Sequence, residues 1–140
     1  MKRFLCVLFS VLLAFSAVLP ISSSAATESN LYINSYSGEV TPLGNGRIKV
    51  NFSTYGTDYM DDIGASQIIL YENGTVVKTY SAYNPLYSAT MFGHNRWYFY
   101  GYVYYDGNAG DTYYAFISHY AGDSTGHGTE GLTTDSVVAT

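Results

Sequence analysis

The sequence predicts an all-β protein, an antiparallel β-sandwich of seven strands. Beyond the first 26 residues, no stretch has the apolar repeat of an amphipathic helix. Short runs of β-branched and aromatic residues alternate instead with turn residues at fairly regular spacing, which is typical of a sandwich. The rest of the 140-residue chain has a suitable length for one domain with its own core. A small closed barrel is the alternative architecture.

The first 26 residues have the pattern of a secretory signal. Lys2 and Arg3 precede an apolar run at 4–20, and small residues at 22–26 offer a cleavage site. An uncleaved membrane anchor is the alternative. We therefore expect a signal peptide at 1–26 and a single domain at 27–140. Such a protein would be secreted and extracellular, and it would have no membrane contact after cleavage.

Charge and cysteine content exclude several classes of function. The formal net charge is −5 at pH 7, and beyond the signal the only basic residues are Arg47, Lys49, Lys78 and Arg96. Nucleic acids bind to a basic surface, so we expect no nucleic-acid partner. The only cysteine, Cys6, lies in the predicted signal, so the mature protein would have no disulfide and no thiol nucleophile.

The strands can be placed in chain order. They are predicted at 31–36 with a continuation at 39–41, and at 47–53, 66–72, 75–80, 98–105, 113–120 and 133–140. Longer connections are predicted at 54–63, 81–95 and 122–131. Ile48, Val50 and Phe52 alternate with polar residues, which indicates a half-buried strand. Asn73 and Gly74 separate two strand runs and predict a type I′ hairpin.

Residues 98–120 contain two aromatic runs joined by turn residues, which is the composition of two strands and their connection. The second run begins Ala109-Gly-Asp-Thr-Tyr113 and continues with Ala115 and Ile117. This segment resembles the sixth strand of fibronectin type III domains. The resemblance implies an immunoglobulin-like sandwich of the fibronectin type III kind. It also implies that the hydroxyl of Tyr113 ties down the preceding corner.

The mature chain as a whole is similar to a family of small secreted proteins from Gram-positive bacteria. The matching pieces are 32–38, 41–50, 63–65 and 68–72. This resemblance implies a bacterial origin, a fold and an extracellular compartment, and it brings no activity with it.

Strand alternation predicts which aromatic side chains reach the surface of this tyrosine-rich chain. If Tyr113 points inward, Tyr114 and Phe116 point outward. The preceding strand should present an outward row, with Arg47 and Lys49 across from it. The row consists of Tyr98, Tyr100, Tyr102 and Tyr104.

These exposed aromatic residues have two interpretations. They could only stabilise the sheet, through cross-strand aromatic pairs and cation–π contacts. Alternatively, they could form a flat aromatic platform that binds sugar rings or another apolar surface. The predicted ligand-binding residues are Tyr98, Tyr100, Tyr102, Tyr104, Tyr114 and Phe116.

The three histidines are the candidate metal ligands. In a fibronectin-like sandwich, His94, His119 and His127 should lie at one end, close to several carboxylates. Histidine and carboxylate ligands suit zinc or copper, although no characteristic ligand spacing is present. The sequence also lacks a Gly-x-Ser-x-Gly elbow. We therefore expect neither a cofactor nor enzymatic activity, and a metal-dependent hydrolase is the least favoured function.

The sequence thus predicts a small secreted binding domain. Its expected partner is a polysaccharide or cell-wall material, meaning a cell-surface or environmental glycan. The alternative is a structural or matrix protein that acts by self-association of its tyrosine-rich faces.

Overall fold

The computed structural model describes residues 30–140, and the predicted signal peptide lies outside them. The elements are β1 (Ile33–Gly44), β2 (Arg47–Glu72), β3 (Thr75–Ser81), α1 (Ser88–Met91), β4 (Phe92–Asp106), β5 (Thr112–Asp123), β6 (Gly126–Thr133) and β7 (Val137–Val138). All strand pairs are antiparallel and belong to one sheet, which curls into a half-barrel. The predicted all-β class is confirmed. The described part of the chain contains no helix that is long and apolar enough to cross a membrane.

The 26-residue strand β2 organises the sheet. Its first part pairs with β1 and β4, and its second part pairs with β3 and β5. The strand changes partners at Gly64, which has φ +152°. A Cβ atom at Gly64 would collide with the carbonyl oxygen of Met91, so the close approach of the two backbones requires glycine here. One strand therefore carries two groups of neighbours.

The core consists of alternate side chains from both parts of β2 and from the strands beside it. Ile48, Val50 and Phe52 are buried, as predicted from their alternation. The second part of β2 contributes Ile68 and Leu70, which are fully buried. Inward residues of β5 complete this layer, namely Tyr113, Ala115 and Ile117. Full burial of one large aliphatic side chain is worth about 1.5–3 kcal/mol, so packing can stabilise the domain without a disulfide.

Three predicted connections differ from the structure. Residues 54–63 belong to β2, because their backbone pairs with β4 across a bulge between Tyr55 and Met60. Most of 122–131 belongs to β5 and β6, whose alternation is hidden by glycines. The segment 81–95 contains the one-turn helix α1 and the start of β4. The predicted last strand at 133–140 is reduced to the two residues of β7.

The hairpin between β2 and β3 has a two-residue turn. Asn73 and Gly74 have φ values of 49° and 82°, the positive values that a type I′ turn requires. The Asn73 side chain accepts a hydrogen bond from the backbone N–H of Thr112 at 3.0 Å and donates one to Asp111 at 2.9 Å. The turn is therefore fixed to the start of β5.

Candidate functional site

The predicted tyrosine row lies on one face of β4. Its four side chains are exposed by 40% to 59%, and they are Tyr98, Tyr100, Tyr102 and Tyr104. The intervening residues Phe99, Gly101 and Val103 are buried. The strand parity inferred from the sequence therefore matches the structure along this element.

The rings of this row do not form the expected flat platform. The rings of Tyr98 and Tyr100 are 5.6 Å apart and inclined at 66°. Those of Tyr102 and Tyr104 are 5.3 Å apart and inclined at 59°. Inclined packing places the positive edge of one ring against the negative face of the next, which is more favourable than coplanar alignment. The row is a series of separate ring faces, and a rigid ligand cannot stack on all of them.

At one end of the row, basic side chains cover the ring faces. The Arg47 guanidinium lies 4.7 Å from the centroid of Tyr104, and the Lys49 ammonium lies 4.8 Å from that of Tyr102. Arg47 also forms an ion pair with Asp106 at 3.2 Å. An exposed cation–π contact contributes about 0.5–1 kcal/mol. These contacts at Tyr102 and Tyr104 are of the kind that the stabilising interpretation expects.

Further along the row, a pocket of about 260 Å³ lies beside Tyr100. Tyr100 is the most exposed ring of the row, and its hydroxyl contacts that of Tyr55. Cross-strand register creates the pocket, because Ser37 and Ser53 lie in line with Tyr100. Small side chains on β2 leave space between the tyrosines on β4 and the side chains on β1.

The pocket is polar on the side opposite the ring. Its lining includes Ser37, Glu39, Asn51 and Ser53. The hydroxyls of Ser37 and Ser53 are 2.7 Å apart. The Asn51 amide donates to Glu39 at 3.4 Å. An aromatic ring thus lies next to a carboxylate, an amide and two hydroxyls.

Sequence reasoning did not single out these polar residues, because each resembles an ordinary solvent-facing strand position. The available signal was the register of the hairpin between β1 and β2. A turn at residues 44–46 places Ser37 opposite Ser53 and Glu39 opposite Asn51.

Tyr114 and Phe116 lie apart from the tyrosine row. β4 and β5 pair with opposite sides of β2, and they share only the residues 62–64 as partners. The Tyr114 ring stacks on Tyr71 at 4.6 Å with an angle of 5°. The Phe116 ring covers Gly131, where a Cβ atom would lie 2.9 Å from it. The six predicted ligand-binding residues therefore form two surfaces.

The structure does not bring the three histidines together. His94 is exposed, and its Nδ1 is 2.5 Å from Asp62. His127 is also exposed and stacks on Tyr120 at 5.4 Å. His119 is completely buried. Among residues 30–140, no group of three or more His, Cys, Asp or Glu residues could hold a metal ion.

His119 has a different environment, inside the core. The hydroxyl of Thr54 donates to the carbonyl of Gly64 at 2.8 Å, so it accepts a hydrogen bond from Nδ1 of His119, also at 2.8 Å. This assignment leaves Nε2 unprotonated, and Nε2 has no hydrogen-bond partner in the described region. Burial lowers the pKa of His119 to about 4, so the ring is neutral at pH 7.

Tyr113 lies at the start of β5, and its side chain is fully buried. Its hydroxyl accepts a hydrogen bond from the backbone N–H of Asn108 at 2.9 Å and donates one to Glu72. Burial, together with the bond to Glu72, raises the pKa of Tyr113 to about 12. The phenol is therefore a neutral structural group at the corner before β5.

Comparisons of the chain with protein-family models, with curated proteins and with solved structures gave no match.

Proposed function

We propose that this protein is a small extracellular binding domain for glycan, with its site at the pocket beside Tyr100. The observation that carries the proposal is the position of an exposed aromatic ring next to convergent polar groups. A sugar ring has an apolar face that packs on an aromatic ring, and hydroxyls that need hydrogen-bond partners. The Glu39 carboxylate would accept bonds from sugar hydroxyls and repel anionic sugars, so the proposed ligand is a neutral glycan.

We also infer that the curled sheet is a two-layered sandwich of the fibronectin type III kind. The pairing order supports this inference, since β1, the first part of β2 and β4 form one group, while β3, the second part of β2, β5 and β6 form the other. Close packing between the groups also supports it, because a Cβ atom at Gly38 would collide with Ile117. Secretion, and a relationship to small secreted proteins of Gram-positive bacteria, are part of the proposal and rest on the sequence.

A screen of the protein on a glycan array and on insoluble polysaccharides and cell walls tests the proposed function. We expect retention on at least one neutral glycan, and competition by the soluble form of the same glycan. Absence of retention on every material would overturn the glycan assignment.

The alternative, a matrix protein that self-associates, is favoured by one observation. The tyrosine row on β4 and the surface at Tyr114 and Phe116 on β5 lie on different parts of the sheet. If the row of one copy contacted the β5 surface of a second copy, the interface would be heterologous. Heterologous contacts that do not close form open filaments. Sedimentation velocity over a range of concentrations distinguishes this function, because it requires a size distribution that grows with concentration.

A further inference from the structure

A groove of about 630 Å³ lies beside helix α1, separate from the pocket at Tyr100. Tyr83 and Phe92 supply its aromatic surface, and Asp62 and His94 lie on its polar side. Small or apolar residues of the segment 82–89 complete the lining. The volume is in the range of small-molecule sites in proteins.

The two aromatic rings form a corner. Their centroids are 5.8 Å apart, and their planes are inclined at 87°. Tyr83 is 73% exposed, whereas Phe92 is buried and packs at 5.5 Å against the ring of Tyr120. The exposed ring of Tyr83 is thus perpendicular to the buried ring of Phe92, and Tyr83 supplies most of the accessible aromatic surface.

The groove contains one carboxylate, that of Asp62. Asp62 lies opposite His94 in the strand register, and Nδ1 of His94 donates to its carboxylate at 2.5 Å. Within residues 30–140, the side chain of Asp62 accepts no other hydrogen bond. Burial raises the pKa of the Tyr120 hydroxyl, and the charges of Tyr83 and Asp62 raise it further.

Within residues 30–140, no Lys or Arg side chain forms an ion pair with this carboxylate. Arg96 is the basic residue nearest to His94 in the sequence, but its guanidinium lies 5.8 Å from the ring of Phe99. Its Nε donates to the backbone carbonyl of His94 at 3.4 Å. The formal net charge of the whole chain is −5. A cation that enters the groove would therefore be attracted by both the local and the overall field.

We propose that this groove binds a small organic cation of the trimethylammonium class. The quaternary head group of such a cation is weakly hydrated and has no hydrogen-bond donor, so it can pack against the exposed ring of Tyr83, beside the buried Phe92. The Asp62 carboxylate supplies the opposite charge, and its bond from His94 holds it in position. A metal ion such as Ca²⁺ needs several oxygen ligands, whereas the lining of this groove contains one carboxylate, that of Asp62. The groove therefore suits an organic cation better than a metal ion.

Isothermal titration of the protein with choline tests this site. The matched control ligand is 3,3-dimethylbutan-1-ol, which has the same shape as choline and no charge. We expect choline to bind at least tenfold more tightly than the alcohol. Absence of choline binding would overturn the proposal. Equal binding of the two compounds would also overturn it, because the groove would then recognise the apolar shape and not the charge.

Two substitutions separate the charge from the rings. Asp62→Asn keeps a polar side chain opposite His94 and should weaken choline binding at least tenfold. Tyr83→Leu keeps an apolar wall but removes the ring, and it should weaken binding severalfold. Tyr59→Leu is the control, since it removes another exposed tyrosine, 68% accessible, outside the groove. Equal affinities for all four proteins would place the cation elsewhere.

A measurement on the unsubstituted protein guards against folding defects in these variants. Amide chemical-shift changes on addition of choline should concentrate at residues 82–94 and at Asp62. Changes confined to residues 98–104 would instead assign the cation to the tyrosine row and overturn the proposal. Binding here is independent of the glycan pocket, so either site can fail without the other.

Discussion

The hydroxyl of Tyr113 accepts a hydrogen bond from the backbone N–H of Asn108 at 2.9 Å, and so joins the start of β5 to the turn before it. The same hydroxyl donates to Glu72, at the end of β2. One buried phenol therefore holds together a turn and two strands. This arrangement explains why the sequence places tyrosine, rather than phenylalanine, at a core position.

Loss of one buried hydrogen bond usually costs about 0.5–1.5 kcal/mol. Tyr113→Phe should lower the free energy of unfolding by more than this, because both Asn108 and Glu72 lose a partner. The control is Tyr102→Phe, since within residues 30–140 the hydroxyl of Tyr102 has no hydrogen bond to a side chain or to the backbone. Urea denaturation measures both variants. Equal destabilisation by the two substitutions would contradict the proposed role of the corner.

The buried His119 should make the protein less stable in mild acid. Its pKa is lowered from 6.5 to about 4, because burial disfavours the charged ring. The unfolded chain therefore takes up a proton near pH 6.5 that the folded protein takes up only near pH 4. Above pH 6.5, His119 does not reduce the free energy of unfolding. As the pH falls from 6.5 towards 4, the free energy of unfolding decreases by about 3 kcal/mol in total.

Unfolding at several pH values between 4 and 7 measures this slope. His119→Asn is the matched variant, because its amide can still donate to Thr54 and it does not titrate. The variant should be less stable at pH 7, since a cavity remains, but its slope in this window should be much smaller. Glu130 lies across from His119 on β6, and the ring of Tyr36 packs on the ring of His119 at 4.8 Å. Neither residue should be substituted in this experiment, because both face His119. An identical slope in both proteins would assign the acid sensitivity to other groups.

Gly64→Ala should be strongly destabilising. The new Cβ atom would overlap the carbonyl oxygen of Met91, which is backbone and cannot move aside easily. Gly110→Ala is the control, because Gly110 also has positive φ, 89°, but no atom within 4 Å of an added Cβ. Overpacking usually costs about 1–3 kcal/mol. The melting temperature of Gly64→Ala should therefore be well below that of Gly110→Ala. Similar melting temperatures would contradict close packing at the point where β2 changes partners.

The predicted signal peptide can be tested by intact mass. Expression in a secreting bacterial host should yield protein that begins at Ala26 or Thr27, since small residues at 22–26 offer the cleavage site. Secreted material that still contains Met1 would contradict this prediction.

Local patterns predicted much of this fold, and long-range pairing determined the rest. The hairpin at Asn73 and Gly74 and the exposed face of β4 both follow from residues within one or two strands. The continuation of β2 through 54–63 does not, because polar residues there are held by pairing with β4, which lies 30 to 45 residues further along the chain. Likewise, Glu39 and Asn51 become part of a pocket only when the register brings Tyr100 beside them. The histidines were placed at one end by analogy, but strand alternation puts His119 in the core and leaves His94 on the surface.

Tyr100 provides the sharpest test of the proposed glycan site. Threonine retains a high propensity for strands, so Tyr100→Thr should leave the far-ultraviolet dichroism intact while it removes the ring beside the pocket. Tyr102 is a poorer choice, because Lys49 lies against its ring and the substitution would also remove that contact. We expect Tyr100→Thr to lose retention on the neutral glycan that holds the unsubstituted protein.

The matched control is Tyr114→Thr, which removes a ring from the second aromatic surface and should leave retention unchanged. Ser53→Ala tests the polar side of the pocket independently, since it removes one of the two bonded hydroxyls without touching the ring. Loss of retention in Tyr114→Thr but not in Tyr100→Thr would move the site to β5. If Tyr100→Thr unfolds while Ser53→Ala binds normally, the ring serves to stabilise the sheet, and self-association becomes the better account of the tyrosine-rich surface.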